Sequence, residues 1–104
     1  YKTPIQGKNF DRIREMSNYA LSVMDDACLA LFKKDYDQAE KSIGNANDIQ
    51  KYERRILDNL KTGKDEEEIF RVRRIVENVK RVAEYASDIG EVVLNMNIEK
   101  VLKK

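Results

Sequence analysis

The residues with the most scope for chemistry are two carboxylates near the middle of a long apolar segment. Glu84 and Asp88 are four positions apart, so on a helix both project from the same side. Carboxylates in this arrangement bind hard cations or iron when neighbouring helices supply further oxygen ligands. The alternative is a solvated acidic pair balanced by Arg81, and we favour it because one such pair is a weak signal in a chain with 38% charged residues.

The groups that most often support catalysis are missing from the sequence. The chain has no histidine, which removes the commonest general base and the commonest transition-metal ligand. Serine–histidine–aspartate and cysteine–histidine nucleophile systems are excluded for the same reason. The four glycines are isolated from one another, so no glycine-rich phosphate loop is present. We therefore predict that the domain is not an enzyme and has no catalytic residue, no cofactor and no bound metal.

The single cysteine, Cys28, has two interpretations. It is either a reactive thiol or a small apolar residue packed between Met24 and Leu31 on the first helix. We favour the packed interpretation, because reactive thiols need a partly exposed, electropositive setting. One cysteine cannot form an internal disulfide, so a reducing compartment is the simpler expectation.

The charge balance argues against a nucleic-acid-binding surface. With 20 basic and 19 acidic residues, the net charge is +1, whereas duplex binding usually needs a clearly basic face. The basic residues of the third helix are spread around its circumference and do not line one face. This distribution favours a solvated surface over a nucleic-acid or anionic-lipid site. Tyr85 is either an interface anchor or the edge of a core with its hydroxyl in water. No apolar run approaches the roughly 20 residues of a membrane span.

The elements that position these residues are predicted to be three long helices. Residues 1–8 are expected to form a tail or linker that follows another domain, and residues 9–104 a single helical domain. The helices are predicted at about 10–34, 36–61 and 66–101, with Asn9 as the first cap. Asp35 with Gln38, and Asp65 with Glu68, have the spacing of helix-capping boxes.

Apolar periodicity predicts how the helices pack. In the third helix two sets of residues fill the a and d positions of a heptad repeat, namely Val72, Val79, Ala86, Val93 and Ile75, Val82, Ile89, Met96. Connections as short as these require neighbouring helices to run antiparallel. The sequence thus predicts an elongated, all-α, up-down-up three-helix bundle. Further apolar residues, including Tyr85 and Val92, widen the third helix's apolar face and predict an additional packing surface.

Three segments resemble the PhoU family of phosphate-uptake regulators. Residues 27–39 (ACLALFKKDYDQA) resemble the family's first helical hairpin, and residues 47–56 resemble the middle of its second helix. Residues 81–91 (RVAEYASDIGE) resemble a run in its third helix, which makes Arg81, Glu84, Tyr85 and Asp88 the family-motif candidates for an interaction site. The resemblance implies a three-helix repeat that packs on a second repeat or a second copy. It also implies cytoplasmic regulation of phosphate, or related ion, transport through a transporter ATPase or a sensor kinase.

The chain departs from this family at the positions that bind metal clusters in some members. Lys80 stands where those members have an acidic residue, and Ala46 and Gln50 stand at matching acidic positions of the second helix. We therefore expect no metal cluster in this chain. The alternative function is a structural oligomerisation module attached to a DNA-binding or ion-transport gating domain.

Overall fold

The computed structural model describes residues 7–60 and 65–102, which form helices and no strand. The described part of the chain measures 61 × 20 × 16 Å, so the molecule is elongated. The predicted all-helical class is confirmed. The helices are α1 (Gly7–Lys33), α2 (Tyr36–Asn47), α3 (Ile49–Leu60) and α4 (Glu66–Leu102). Within these residues no helix combines the length and the apolar character that crossing a bilayer requires.

The predicted second helix, 36–61, is broken near its middle. Asp48 separates α2 from α3, and its N–H donates to the carbonyl of Asn45 at 3.1 Å. The chain has Asn45, Asn47 and Asp48 close together there, and such side chains compete with the backbone ladder of a helix. The short polar residues explain the break, which apolar spacing alone does not reveal.

The start of α1 also differs from the prediction. The helix begins at Gly7, whose φ is +66°, so Asn9 is an internal residue and not the cap. Of the expected tail 1–8, only Gly7 and Lys8 lie among the described residues, and both belong to α1. A glycine adopts this left-handed φ without the steric cost that other residues meet.

The end of α1 is closed by a Schellman motif without glycine. Lys34 has a φ of +56°, and its N–H donates to the carbonyl of Leu31 at 3.4 Å. The N–H of Asp35 donates to the carbonyl of Ala30 at 2.9 Å, which completes the pattern. The left-handed position is therefore filled by a lysine, at a cost of about 1 kcal/mol relative to glycine.

Both predicted aspartate caps form. Oδ1 of Asp35 accepts from the backbone N–H of Gln38 at 3.0 Å and so caps α2. Oδ1 of Asp65 accepts from the N–H groups of Glu67 and Glu68 at 3.0 and 3.3 Å. Only half of the first capping box is present, because the side chain of Gln38 donates to Ser42 Oγ at 3.5 Å while the N–H of Asp35 serves the Schellman motif.

The core of α1, α2 and α3 is a stripe of small and apolar residues. Apolar residues three or four apart in α1 predict a buried stripe that includes Phe10 and Leu31, but both are exposed and Ala30 is buried. Ser42 is a buried polar residue that the apolar pattern did not indicate. The fully or nearly buried residues of these helices are Met16, Ala20, Val23, Ala27, Ala30, Ala39, Ser42, Ala46, Ile49, Ile56 and Leu60.

The buried face of α4 is rotated away from the predicted a/d seam. Three of the a positions are buried, but the d positions are only half-buried. The residues that directly follow the first three d positions are buried instead: Val76, Ala83 and Gly90. The physical reason is that α2 approaches the small residues of α4, and an added Cβ at Gly90 would lie 2.9 Å from the carbonyl oxygen of Ala39. This close approach turns the small side of α4, and not its widest apolar side, toward the core.

Candidate functional site

Two polar contacts define which flank of each helix faces which neighbour. The Tyr19 hydroxyl donates to the carbonyl of Asn45 at 2.9 Å. The flank of α1 that carries Tyr19 therefore faces α2 and α3. Lys80 Nζ lies 3.5 Å from Glu53 Oε1. The flank of α4 that carries Lys80 therefore faces α3. By the 3.6-residue period of a helix, the opposite flanks of α1 and α4 adjoin each other on the other side of the molecule.

Two of the predicted site residues, Glu84 and Asp88, line a polar groove between α4 and the α2–α3 pair. The groove has a volume of about 340 Å³. Its walls include small side chains at Ala46 and Ala83, and its rim is polar. The lining residues are Ala46, Asn47, Ile49, Gln50, Lys80, Ala83, Glu84, Ser87 and Asp88. Neither Arg81 nor Tyr85 is among them, so the structure divides the predicted set.

Tyr85 belongs to the opposite side of α4, on a surface that we call the α1–α4 face. It is defined by half-buried and exposed residues of the two flanks that adjoin each other. These are Leu21, Met24, Cys28 and Leu31 of α1, and Ile75, Val82, Tyr85, Ile89, Val92 and Met96 of α4. Tyr85 is 59% exposed. Arg81 is exposed to solvent and belongs neither to the groove nor to the α1–α4 face.

Cys28 is exposed, and the prediction that it packs between Met24 and Leu31 was wrong. The buried stripe runs through Ala27 and Ala30, and each residue turns the helix by about 100°. Cys28 therefore projects to the side of that stripe, onto the α1–α4 face.

Tyr19 has a structural role that spacing alone did not indicate. Its ring stacks on that of Tyr52 with the centroids 4.7 Å apart, and its hydroxyl bonds Asn45, where α2 approaches its end. Burial raises the pKa of Tyr19 above its ordinary value, and the negative charges of the Asp48 carboxylate and of the ionised Tyr52 hydroxyl raise it further. The tyrosine thus joins α1 to both segments that meet at the break.

A comparison with protein families identifies the chain. The model of the PhoU domain matches residues 13–93, which is most of the 104-residue chain. The chain belongs to the PhoU domain family. This is a regulatory, non-catalytic family associated with phosphate transport. No curated protein and no solved structure matches the chain.

The groove of this PhoU domain does not fit a metal cluster. It contains two carboxylates, Glu84 and Asp88, together with Lys80, whose ammonium group opposes a cation nearby. Lys80 also forms an ion pair with Glu53, so the carboxylate of Glu53 is already paired with a cation. Among the described residues no group of three or more histidine, cysteine, aspartate or glutamate side chains is arranged to bind a metal ion.

One residue of the PhoU domain was not singled out by its type or spacing. Arg71 lies at the N-terminal end of the α1–α4 face and is half-buried. Its Nε and one of its Nη atoms are shielded from solvent and have no hydrogen-bond partner among the described residues. The sequence placed Arg71 among basic residues that surround α4, and only its burial distinguishes it from Arg73 and Arg74, which are exposed.

Proposed function

We propose that this PhoU domain is a regulatory protein-interaction domain that docks through its α1–α4 face. The observation that carries the proposal is the distribution of exposed large apolar side chains. Within the described residues all of them lie on α1 and α4, and α2 and α3 expose none. They are Phe10, Leu21, Leu29, Leu31, Phe32, Phe70, Tyr85, Val92, Ile98 and Leu102. Four of them, Leu21, Leu31, Tyr85 and Val92, belong to the α1–α4 face, where half-buried apolar residues of both helices adjoin them.

The occupant that we propose is a second three-helix bundle of the same kind. A face that joins exposed Val92 and Tyr85 to half-buried Val82 and Ile89 has the apolar centre of a protein interface, and contiguous exposed apolar surface of this kind marks such sites. Two bundles that meet through their α1–α4 faces shield this surface from water. In the isolated chain the second bundle is a second copy.

The cellular role that we propose follows the family. The domain modulates phosphate, or related ion, transport in the cytoplasm by binding a transporter ATPase or a sensor kinase. We also propose that α1, the α2–α3 pair and α4 run up-down-up. The cluster of Ala30, Ala39 and Val93, together with the Lys80–Glu53 and Tyr19–Asn45 pairs, supports this order.

The test is the molar mass of the purified chain in solution as a function of concentration. We expect a concentration-dependent increase from the 12.2 kDa monomer toward twice that mass, measured by light scattering after size exclusion. Val92→Lys places a charge on the face and is expected to return the chain to a monomer, because desolvating an unpaired charge is unfavourable.

Leu29→Lys is the matched control. Leu29 and Val92 are equally exposed, at 52% each, but Leu29 is not one of the residues that define the α1–α4 face, because it is turned by about 100° from Cys28 around the axis of α1. This variant is expected to associate like the wild type. Equal loss of association in both variants, or a wild type that stays monomeric at all concentrations, would contradict the proposed face.

A further inference from the structure

We propose that two copies of this domain pack antiparallel along their α4 helices, with Arg81 of each copy beside Asp88 of the other. This inference rests on the proposed function and adds the orientation and the register of the second copy. Its starting point is the spacing of the apolar residues that α4 contributes to the α1–α4 face.

The α4 residues of the face, together with Asn78, follow a heptad repeat of their own, which we call the outer seam. Alternating steps of three and four residues connect them, which is the spacing of a helix that packs lengthwise on another helix. Four of them are d positions of the predicted heptad that the bundle leaves half-buried, and the other three are exposed. The members of the outer seam are Ile75, Asn78, Val82, Tyr85, Ile89, Val92 and Met96.

A row of exposed polar residues runs beside the outer seam. Each of them directly precedes one of the half-buried seam residues, and in chain order they are Arg74, Arg81, Asp88 and Asn95. The charge of the row therefore changes sign between Arg81 and Asp88. Neither of these two side chains forms an ion pair within the described residues. In paired helices, charges beside the seam determine which helices pair and in which direction.

The order of these charges favours an antiparallel second copy. A two-fold axis near Tyr85 brings Arg81 of each copy beside Asp88 of the other, and the symmetry forms this ion pair twice. A parallel second copy would bring each residue level with its own counterpart, so that arginine meets arginine and aspartate meets aspartate. Juxtaposed like charges are unfavourable in an interface, so the row selects the antiparallel arrangement.

Two independent features place the two-fold axis at nearly the same point. Complete overlap of the two outer seams requires an axis midway between Ile75 and Met96, which is half a residue after Tyr85. Pairing of Arg81 with Asp88 requires an axis midway between these two, which is half a residue before Tyr85. The difference of one residue is about 1.5 Å along a helix. One register therefore shields the apolar residues and also pairs the charges.

The first measurement is the dimer dissociation constant of charge-reversed variants, from sedimentation equilibrium at low ionic strength. Arg81→Glu replaces both ion pairs by acid–acid contacts and is expected to raise the dissociation constant about tenfold. Adding Asp88→Lys to the same chain restores opposite charges and is expected to restore the affinity. Lys41→Glu, at an exposed position of α2, makes the same change in net charge and should have no effect. An unchanged constant for Arg81→Glu, or a double variant as weak as the single one, would overturn the pairing.

The second measurement is cysteine crosslinking in a Cys28→Ser background. Antiparallel packing brings Asn78 of one copy level with Val92 of the other and separates the two Asn78 residues by two heptads, or about 21 Å. We expect a short bis-maleimide to link a mixture of Asn78→Cys and Val92→Cys chains, and to leave each variant unlinked on its own.

The crosslinks separate a failure of the orientation from a failure of the face. A dimer in which Asn78→Cys links to itself as readily as the mixture links is parallel, and it would overturn this inference while the proposed face stands. A wild-type chain that stays monomeric at all concentrations would overturn the inference together with the proposed function.

Discussion

The close approach of α2 to α4 at Gly90 can be tested by adding a single methyl group. In Gly90→Ala the new Cβ would lie 2.8 Å from Ile43 Cγ1 and 2.9 Å from the carbonyl oxygen of Ala39. The isoleucine side chain can rotate, but the carbonyl belongs to the backbone of α2 and can move only with the helix. Gly44→Ala is the matched control, because a Cβ at Gly44 has nothing within 4 Å.

The expected magnitudes follow from two opposing contributions. Replacing a glycine by alanine within a helix stabilises the folded state by about 1 kcal/mol, and this gain is common to both variants. Overpacking a close helix contact costs about 1 to 3 kcal/mol, and only Gly90→Ala incurs it. Gly44→Ala is therefore expected to be more stable than the wild type, and Gly90→Ala to be less stable than Gly44→Ala by about 1 to 3 kcal/mol.

The assay is urea unfolding followed by circular dichroism at one protein concentration, since association would add to the apparent stability. Slopes of about 1 to 3 kcal/mol per molar urea are typical of small domains, so the expected difference is a clear shift in midpoint. If Gly90→Ala unfolds at the same urea concentration as Gly44→Ala, α2 and α4 are not in backbone contact at this position, and the explanation for the rotated face of α4 fails.

Three further predictions concern single residues. Tyr19→Phe removes the hydrogen bond to Asn45 and should lower the free energy of unfolding by about 1 kcal/mol. Because the pKa of Tyr19 is raised on folding, the free energy of unfolding of the wild type should also fall as pH rises above about 10. Urea titrations at each pH should show that Tyr19→Phe lacks this loss. Lys34→Gly should raise the thermal midpoint, since glycine relieves about 1 kcal/mol of left-handed strain; an unchanged midpoint would contradict this. Val72→Ala, in a fully buried position, should cost about 1 to 3 kcal/mol in urea unfolding, and a neutral result would place Val72 outside the core.

The helices and their caps could be predicted from the sequence because their signals are local. Asp35 and Asp65 each lie three residues before a glutamine or glutamate, Gln38 and Glu68. Each aspartate accepts a hydrogen bond from the backbone N–H of that residue, as the capping pattern predicts. The break at Asp48 was missed because the apolar stripe continues through it, from Ala46 to Ile49. Apolar spacing reports which side is buried, whereas the break depends on competition by short polar side chains.

The arrangement of the site depends on helix rotation, which the sequence does not determine. Tyr85 and Glu84 are neighbours in the chain, yet one belongs to the α1–α4 face and the other lines the groove. The heptad pattern of α4 predicted burial of the d positions, whereas the close approach of Ala39 to Gly90 brings the neighbouring small residues toward the core. The shielding of Arg71 likewise arises from packing, and its residue type alone carries no sign of it.

The position of the only cysteine has a practical consequence for fluorescence experiments. A thiol-reactive dye attached to Cys28 would sit on the surface where a partner is expected, and its bulk would obstruct the binding that it is meant to report. Cys28→Ser combined with Lys51→Cys moves the label to an exposed position on α3, where no large apolar side chain is exposed. The α2–α3 pair is thus the better place to attach a dye or an immobilisation tag to this protein.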